Sequence, residues 1–430
     1  MPNRPLLTYL PLAALALLTS CTRDYNQQFI EFHESNTRTL FPRSQVNDYL
    51  LKHEDEIKAG LRVGIKDTYL RKANSADIAL NILTLSGGGE WGAYGSGFLA
   101  GWSASGTRPE FDIVTGVSTG SLIATFAFLG TKADDDALKA GYLGIQDSDI
   151  YQLKYELAIP LVLLYSNSIT RTDRLRSLVK SLITPDVVKR VAAEHAKGRR
   201  LYVGSVNTDL GRFIASDLTA IAKSGNYDRY IDSIMASAAI PVFFQPIYID
   251  GFQHVDGGVM RNVFMENLFA DESLLCNSEF CLNKLPLNLY TLINGTVEAR
   301  GYFIKDRFLS IGVRGLELLQ NERMLGNVFR ISQMVGTNHA LEHAVYRIHS
   351  IPPGTGEPDD ETQAIPGLKE HDFDPAFMKV LYDAGVIAGK RAASPNKDNP
   401  WFTNINEWER SLTHRPSQPE PERTPEQIKH

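Results

Sequence analysis

Cysteine is scarce in this 430-residue chain, with three, at positions 21, 276 and 281. A scaffold stapled by many disulfides is therefore excluded. Zinc is disfavoured at Cys276 and Cys281, because no second close pair of Cys or His lies near them. No long Lys/Arg run is present and the formal net charge is −6, which argues against nucleic acid as a partner. The leading apolar stretch, Leu6–Leu18, is too short to span a bilayer comfortably. There are no internal repeats, so a solenoid is excluded. What remains is 43% hydrophobic and 22% charged, enough for one large α/β domain with additions, or for two domains.

The chemistry concentrates in residues 78–125. Ile78–Leu85 is an apolar run that reads as a buried strand. Gly87-Gly88-Gly89, then Gly92, Gly95 and Gly97, lead into a helix ending near Trp102. A second short run, Phe111–Thr115, precedes Gly116-Val117-Ser118-Thr119-Gly120, and Leu122–Leu129 continues as a helix to Gly130. A G-x-S-x-G between strand and helix makes a sharp turn that holds the serine hydroxyl at the top of a sheet, and a Cβ at either glycine would crowd it. Ser118 is therefore a candidate nucleophile. Its attack on an ester would put negative charge on the carbonyl oxygen, and Gly87, Gly88 and Gly89 can turn bare backbone N–H groups toward that charge.

Two other readings compete here. Ser118 could be an ordinary turn serine, but the glycine loop one βα unit upstream argues against that. Gly87-Gly88-Gly89-Glu90-Trp91-Gly92 also fits the G-x-G-x-x-G of a nucleotide loop. No Gly-Lys-Ser/Thr follows, and Asp112 is better read as the entry to the second strand.

Further along, Leu157–Tyr165 is an apolar cluster interrupted by Pro160, read as core packing ahead of an acyl-chain contact or lid. Leu201–Val206 is a strand, Tyr230–Ala239 a small-residue helix ended by Pro241, and Val242–Gln245 and Ile247–Ile249 follow. Then comes His254-Val255-Asp256-Gly257-Gly258. Asp-Gly-Gly alone is a common turn, but an Asp held between strand and glycines is a plausible proton acceptor for the serine. A partly buried carboxylate with a pKa raised toward neutrality can do that work. In a strand, residues 254 and 256 share a face, so residue patterning alone leaves a His254-containing triad open.

Four motifs in order resemble the patatin-like phospholipase family: Gly87-Gly88-Gly89-x-x-Gly92, Gly116-Val117-Ser118-Thr119-Gly120, Ala236-Ser237-Ala238-Ala239-Ile240-Pro241 and Asp256-Gly257-Gly258. The resemblance covers about residues 78 to 300. It implies an α/β, three-layer α/β/α fold with a mostly parallel central sheet, helical C-terminal additions, and hydrolysis of lipid acyl esters without a cofactor. It also implies a Ser/Asp dyad with no catalytic His, so that Ser118 is the nucleophile, Asp256 the base, Gly87–Gly89 the oxyanion loop and His254 structural. One departure is Trp91, where many members carry Arg or Lys, so an added positive charge is missing.

At the N-terminus, Arg4, the Leu6–Leu18 stretch and Leu18-Thr19-Ser20-Cys21 resemble a bacterial lipoprotein signal, with Cys21 lipidated after cleavage. Thr22 in place of Asp favours the outer membrane of a Gram-negative envelope by the same resemblance, and acyl chains would hold the protein at a membrane surface. In that oxidising compartment Cys276 and Cys281 are expected to form a small disulfide, free thiols being the alternative.

The expected domains are a signal peptide (1–20), a tether with helical pieces (21–76), the catalytic domain (77–300), a helical part packed on it (301–393) and a poorly ordered tail (394–430). Helices are expected at Phe308–Leu319, Met324–Ile348 and Asp374–Ala392. The second of these carries His339-Ala340-Leu341-Glu342-His343, an H-x-x-E-H that would put two histidines on one helix face as in an inverted zinc-protease motif, though no third ligand is evident. The reading is a membrane-anchored lipid acyl hydrolase. Acyl transfer on the same dyad, or a non-catalytic lipid-binding scaffold, are the alternatives.

Overall fold

The computed structural model describes residues 43–73, 78–145, 147–150, 152–153, 168, 170–269, 271–297, 308–355, 373–394 and 398–413. Cys21, the signal-like segment and Leu157–Tyr165 lie outside them. The chain divides into two units, Met1–Glu54 and Asp55–His430. Of the first, the described part is the opening turns of helix α1 (Arg43–Ala73), where a tether with helical pieces was expected and one 31-residue helix is found.

The larger unit is built on an eight-stranded sheet. Its strands are β1 (Leu80–Leu85), β2 (Ile113–Val117), β3 (Arg200–Asn207), β4 (Arg212–Asp217), β5 (Ile247–Ile249), β6 (Phe252–Asp256), β7 (Leu287–Ile293) and β8 (Ala344–Ser350). The order is β8-β7-β1-β2-β3-β6-β5, with β4 also paired to β3. The pairings from β8 through β3 are parallel, while β4, β5 and β6 add antiparallel ones. β1, β2 and β3 are buried along their whole length, as parallel strands covered on both faces must be.

Side-chain alternation sorts the strand residues into two cores. Leu83, Val114 and Val203 pack with helices α2 (Gly92–Ala104), α3 (Thr119–Leu129), α4 (Lys132–Leu143) and α5 (Asp173–Leu182). Their neighbours Ile82, Ile113 and Tyr202 pack on the other face with Leu61 and Ile65 of α1 and with Val328 and Ile331 of α6 (Phe308–Thr337). The result is a mostly parallel sheet between two helical layers. Local signals start the helices: Thr131 and Asp134 form a capping box at α4, and Asp374 caps α7 (Pro375–Lys390), with Pro375 in its first turn.

Two expectations need correction. The helix expected over Met324–Ile348 stops at Thr337, where Asn338 caps a short 3₁₀ turn at His339–Leu341, and Ala344–Ser350 is the edge strand β8. His339 and His343 therefore do not share a helix face, which removes the geometry the zinc motif needs. Residues 241–244 form a turn, with Val242 at φ 76°. The opening of the expected loose tail is ordered: Trp401 is buried, and Trp408, in the helix Ile405–Thr413, is buried with its Nε1–H donating to Ser350 Oγ at 3.1 Å.

α7 crosses α2 at very short range. A Cβ on Gly97 or Gly101 would lie 2.0 or 2.2 Å from the carbonyls of Tyr382 and Val386, and one on Gly385 or Gly389 would meet those of Tyr94 and Phe98 at 2.2 and 2.0 Å. Two glycines four residues apart on each helix thus let the backbones touch, and they seat α7 on the helix that leaves the glycine loop. No helix among the described residues is long and apolar enough to cross a membrane.

Candidate active site

The sheet register brings the two expected catalytic residues together. Val117, the last residue of β2, is registered with Gly204 of β3, and Asp256, the last of β6, with Ser205. Since β4 occupies the opposite edge of β3 over residues 202–207, β2 and β6 meet end to end along one edge. A Cβ on Gly257 would stand 3.0 Å from Val117 Cγ1, so the Asp-Gly-Gly turn abuts the turn that carries Ser118.

Ser118 has φ 54° and ψ −126°, a conformation rarely open to a residue with a side chain, costing on the order of 1–3 kcal/mol. Gly116 and Gly120 make the turn possible, because a Cβ there would fall 2.4 Å from Gly120 O and 2.5 Å from Ser86 O. The Ser118 N–H donates to Ser237 O and Oγ, each at 3.1 Å, and the Asp256 N–H donates to Ala239 O at 2.8 Å. The Ala236–Pro241 segment therefore holds both residues at once. Its motif is visible in the sequence, but nothing there assigns this clamping role.

Asp256 is 1% exposed. Its Oδ1 accepts the Gly258 N–H at 2.7 Å, whereas Oδ2 has no well-formed hydrogen bond. Burial pushes the pKa up to about 6, against the smaller lowering effects of the facing Ser118 hydroxyl and the Gly258 N–H. A carboxylate so placed is ionised at neutral pH yet basic enough to take a proton. His254 shares the face of Asp256, but both its ring nitrogens point elsewhere: Nδ1 is 2.9 Å from Ser205 Oγ and Nε2 3.3 Å from Asn207 Nδ2. These contacts make the ring a strap between β6 and β3.

The glycine loop divides its labour. The Gly87 N–H is taken by Asn262, Oδ1 at 2.9 Å and O at 3.2 Å, so Gly87, expected as an oxyanion donor, is an anchor instead. Gly88 (φ 154°) and Gly89 (φ 55°) carry N–H groups with no acceptor among the described residues. At Gly88 a Cβ would lie 1.6 Å from Asn294 O. Only glycine fits.

Gly89 and Ser118 open onto a cavity of about 90 Å³ lined by apolar side chains, among them Leu122, Phe126, Leu175, Ile240 and Phe373. Among the described residues, no charged one lines it. Tyr142, a phenol in this lining, is bonded to Thr119 Oγ1 at 2.5 Å and raised in pKa by burial, so it stays neutral. Trp91 packs edge-on against Phe377 of α7, ring centroids 5.2 Å apart, and takes the place of an added cation with an aromatic contact. Cys276 and Cys281 are joined as a disulfide, Cα atoms 3.9 Å apart. Asn262, Asn294 and Phe373 escaped sequence reasoning. A polar residue a few positions past Asp-Gly-Gly is a faint signal for Asn262, and nothing local marks the other two.

Residues 83–269 match the family model of the patatin-like phospholipases. No curated protein matches the chain. Among solved structures it is similar to VipD from Legionella pneumophila, at 14% identity and a TM-score of 0.32, over 71% of this chain and 66% of that one, just under two thirds of its length.

Proposed function

We propose, from the premise that residues 83–269 form a patatin-like phospholipase domain, that this chain hydrolyses carboxylic esters of membrane lipids through a Ser118/Asp256 dyad. The family hydrolyses lipid esters, and the finer assignment rests on one observation. A strained serine faces a buried carboxylate with a pKa of about 6 and no cation beside it among the described residues, at the mouth of a cavity lined by apolar side chains. Such a lining suits an acyl chain.

In this reading Asp256 takes the Ser118 proton as Oγ bonds to the ester carbonyl carbon. The Gly88 and Gly89 N–H groups hold the oxyanion that forms. Collapse breaks the ester C–O bond, Asp256 returns its proton to the leaving alcohol, and the acyl group stays on Ser118. Water then attacks the acyl-enzyme while Asp256 accepts its proton; the acyl C–Oγ bond breaks, Asp256 returns that proton to Oγ, and the fatty acid leaves with the serine regenerated.

A fluorophosphonate tests the first step. One adduct by intact mass on the wild-type protein, and none on Ser118→Ala, is the expected result; an unlabelled wild type that is well folded would leave a lipid-binding scaffold. The reading extends to the cell envelope, with lipid on Cys21 as the anchor to the outer membrane. The lipobox-like Leu18–Cys21 motivates it. Metabolic labelling with a palmitate analogue should tag the protein and miss Cys21→Ser, and equal labelling of both would refute the anchor.

A further inference from the structure

A glycine loop has no side chains with which to hold itself in place, so its aim must come from its neighbours. On one side stands Asn294, at the end of β7: its N–H donates to Ser86 Oγ and its Nδ2–H to Ser86 O, both at 2.7 Å, while Ser86 Oγ–H donates to Gly87 O at 2.7 Å. On the other side stands Asn262, whose two oxygens receive the Gly87 N–H. Asn262 is itself held. Its N–H donates at 3.0 Å to Oδ1 of Asn327, a residue 2% exposed in the body of α6. Asn327 lies outside the residues that match the family model.

We infer that Asn327 is a positioning residue for the oxyanion loop, acting through Asn262 and Gly87 to aim the Gly88 and Gly89 N–H groups. The inference rests on the hydrolase reading above. It follows from the division of labour within the loop. With the Gly87 N–H committed to Asn262, the next two N–H groups are the free donors, and a shift of Asn262 is transmitted to them through one peptide unit. Burial matters as well, because an acceptor lost at Asn327 leaves the Asn262 N–H without a partner, and relaxation of residue 262 is the way to recover one. α6 also approaches the base, since Gln320 Nε2 would lie 3.6 Å from a Cβ on Gly258. One long helix of the C-terminal part thus lies close to both halves of the site.

The test compares Asn327→Leu, Asn327→Asp, Asn262→Ala and Asn338→Ala in the full chain, with a p-nitrophenyl acyl ester as substrate. Asn338 is the control: its Nδ2–H donates to Phe269 O at 3.1 Å, so its loss loosens the same helix without touching the loop. Asn327→Leu and Asn262→Ala should lower kcat by roughly 10- to 100-fold with KM within about twofold, the size of effect that follows from misplacing an oxyanion donor. Asn327→Asp, which keeps the acceptor, should restore most of kcat, and Asn338→Ala should keep the wild-type kcat per folded molecule. If Asn327→Leu does not fold, Asn262→Ala and Asn327→Asp carry the comparison. The idea is sunk by an unchanged kcat in Asn327→Leu or Asn262→Ala, by an equal loss in Asn338→Ala, or by no rescue from Asp. Fluorophosphonate labelling separates the two readings. A wild type that does not label sinks the hydrolase assignment, whereas a labelled wild type with an unaffected Asn327→Leu sinks the positioning role alone.

Discussion

Asp256 is costly to the fold in the state that would serve chemistry. Its pKa is 3.8 when solvated and about 6 when buried, and at ~1.4 kcal/mol per tenfold change in proton affinity the gap corresponds to at most about 3 kcal/mol. Because folding raises this pKa, the penalty is full above about pH 6, shrinks as pH falls through that value, and vanishes below 3.8. Asn in its place keeps an oxygen for the Gly258 N–H and has no charge to bury. Asp256→Asn should therefore abolish ester hydrolysis and yet melt higher than wild type at pH 7.5, the two curves converging toward pH 4. A melting temperature equal to or below wild type at pH 7.5 would contradict the account. The same ionisation predicts that wild-type kcat/KM rises through pH about 6 and is level above it, with one basic limb and no second one from His254. His254→Ala should lose the strap to Ser205 and Asn207, and with it stability, but keep that limb.

At the scale of elements, what sequence discloses depends on whether a structure is specified locally. The turn around Ser118 is legible because two glycines and a serine between an apolar strand and an apolar helix have few other uses, and the coordinates supply the reason each glycine is needed. The Asp-Gly-Gly turn is legible in company and ambiguous alone. His254 illustrates the limit, since a strand pattern puts it beside Asp256 but cannot say that Ser205 and Asn207 claim its ring. β8 was hidden by its neighbour: apolar residues recur all along Met324–Ile348, and the break falls at Asn338, whose capping role shows only once Ala340 N–H is seen to donate to its side chain. The α2–α7 crossing was hidden for another reason. Gly97 and Gly101, and Gly385 and Gly389, are nearly three hundred residues apart, and each pair alone reads as a weakness in its helix. Only the partner turns the missing Cβ atoms into a fit.

Taken whole, the molecule does not end where its recognisable motifs end. The family match stops at residue 269, but β1, which feeds the glycine loop, pairs along its full length with β7 at Leu287–Ile293, and β7 pairs in turn with β8 at Ala344–Ser350. The C-terminal residues then lock this edge. Trp401 packs edge-on against Phe98 and tilted against Trp102 and Tyr290, and His349 bridges Tyr94 OH at 2.8 Å and Pro400 O at 2.9 Å, its pKa pushed down to about 4 by burial so that it stays neutral. A chain cut after residue 269 would leave β1 an open edge, Leu80–Leu85 unpaired on one side, and bare the apolar face of α2 that α7 covers. Such a chain should aggregate or show no cooperative melting. A chain cut after residue 372 keeps all eight strands but loses α7 and Trp401. It should retain sheet signal in circular dichroism, melt well below the full chain, and lose activity, since Phe373 leaves the cavity wall and Trp91 loses Phe377. Full activity and an unchanged melting temperature after that second cut would show that the C-terminal helices are accessory, and that the site is complete without them.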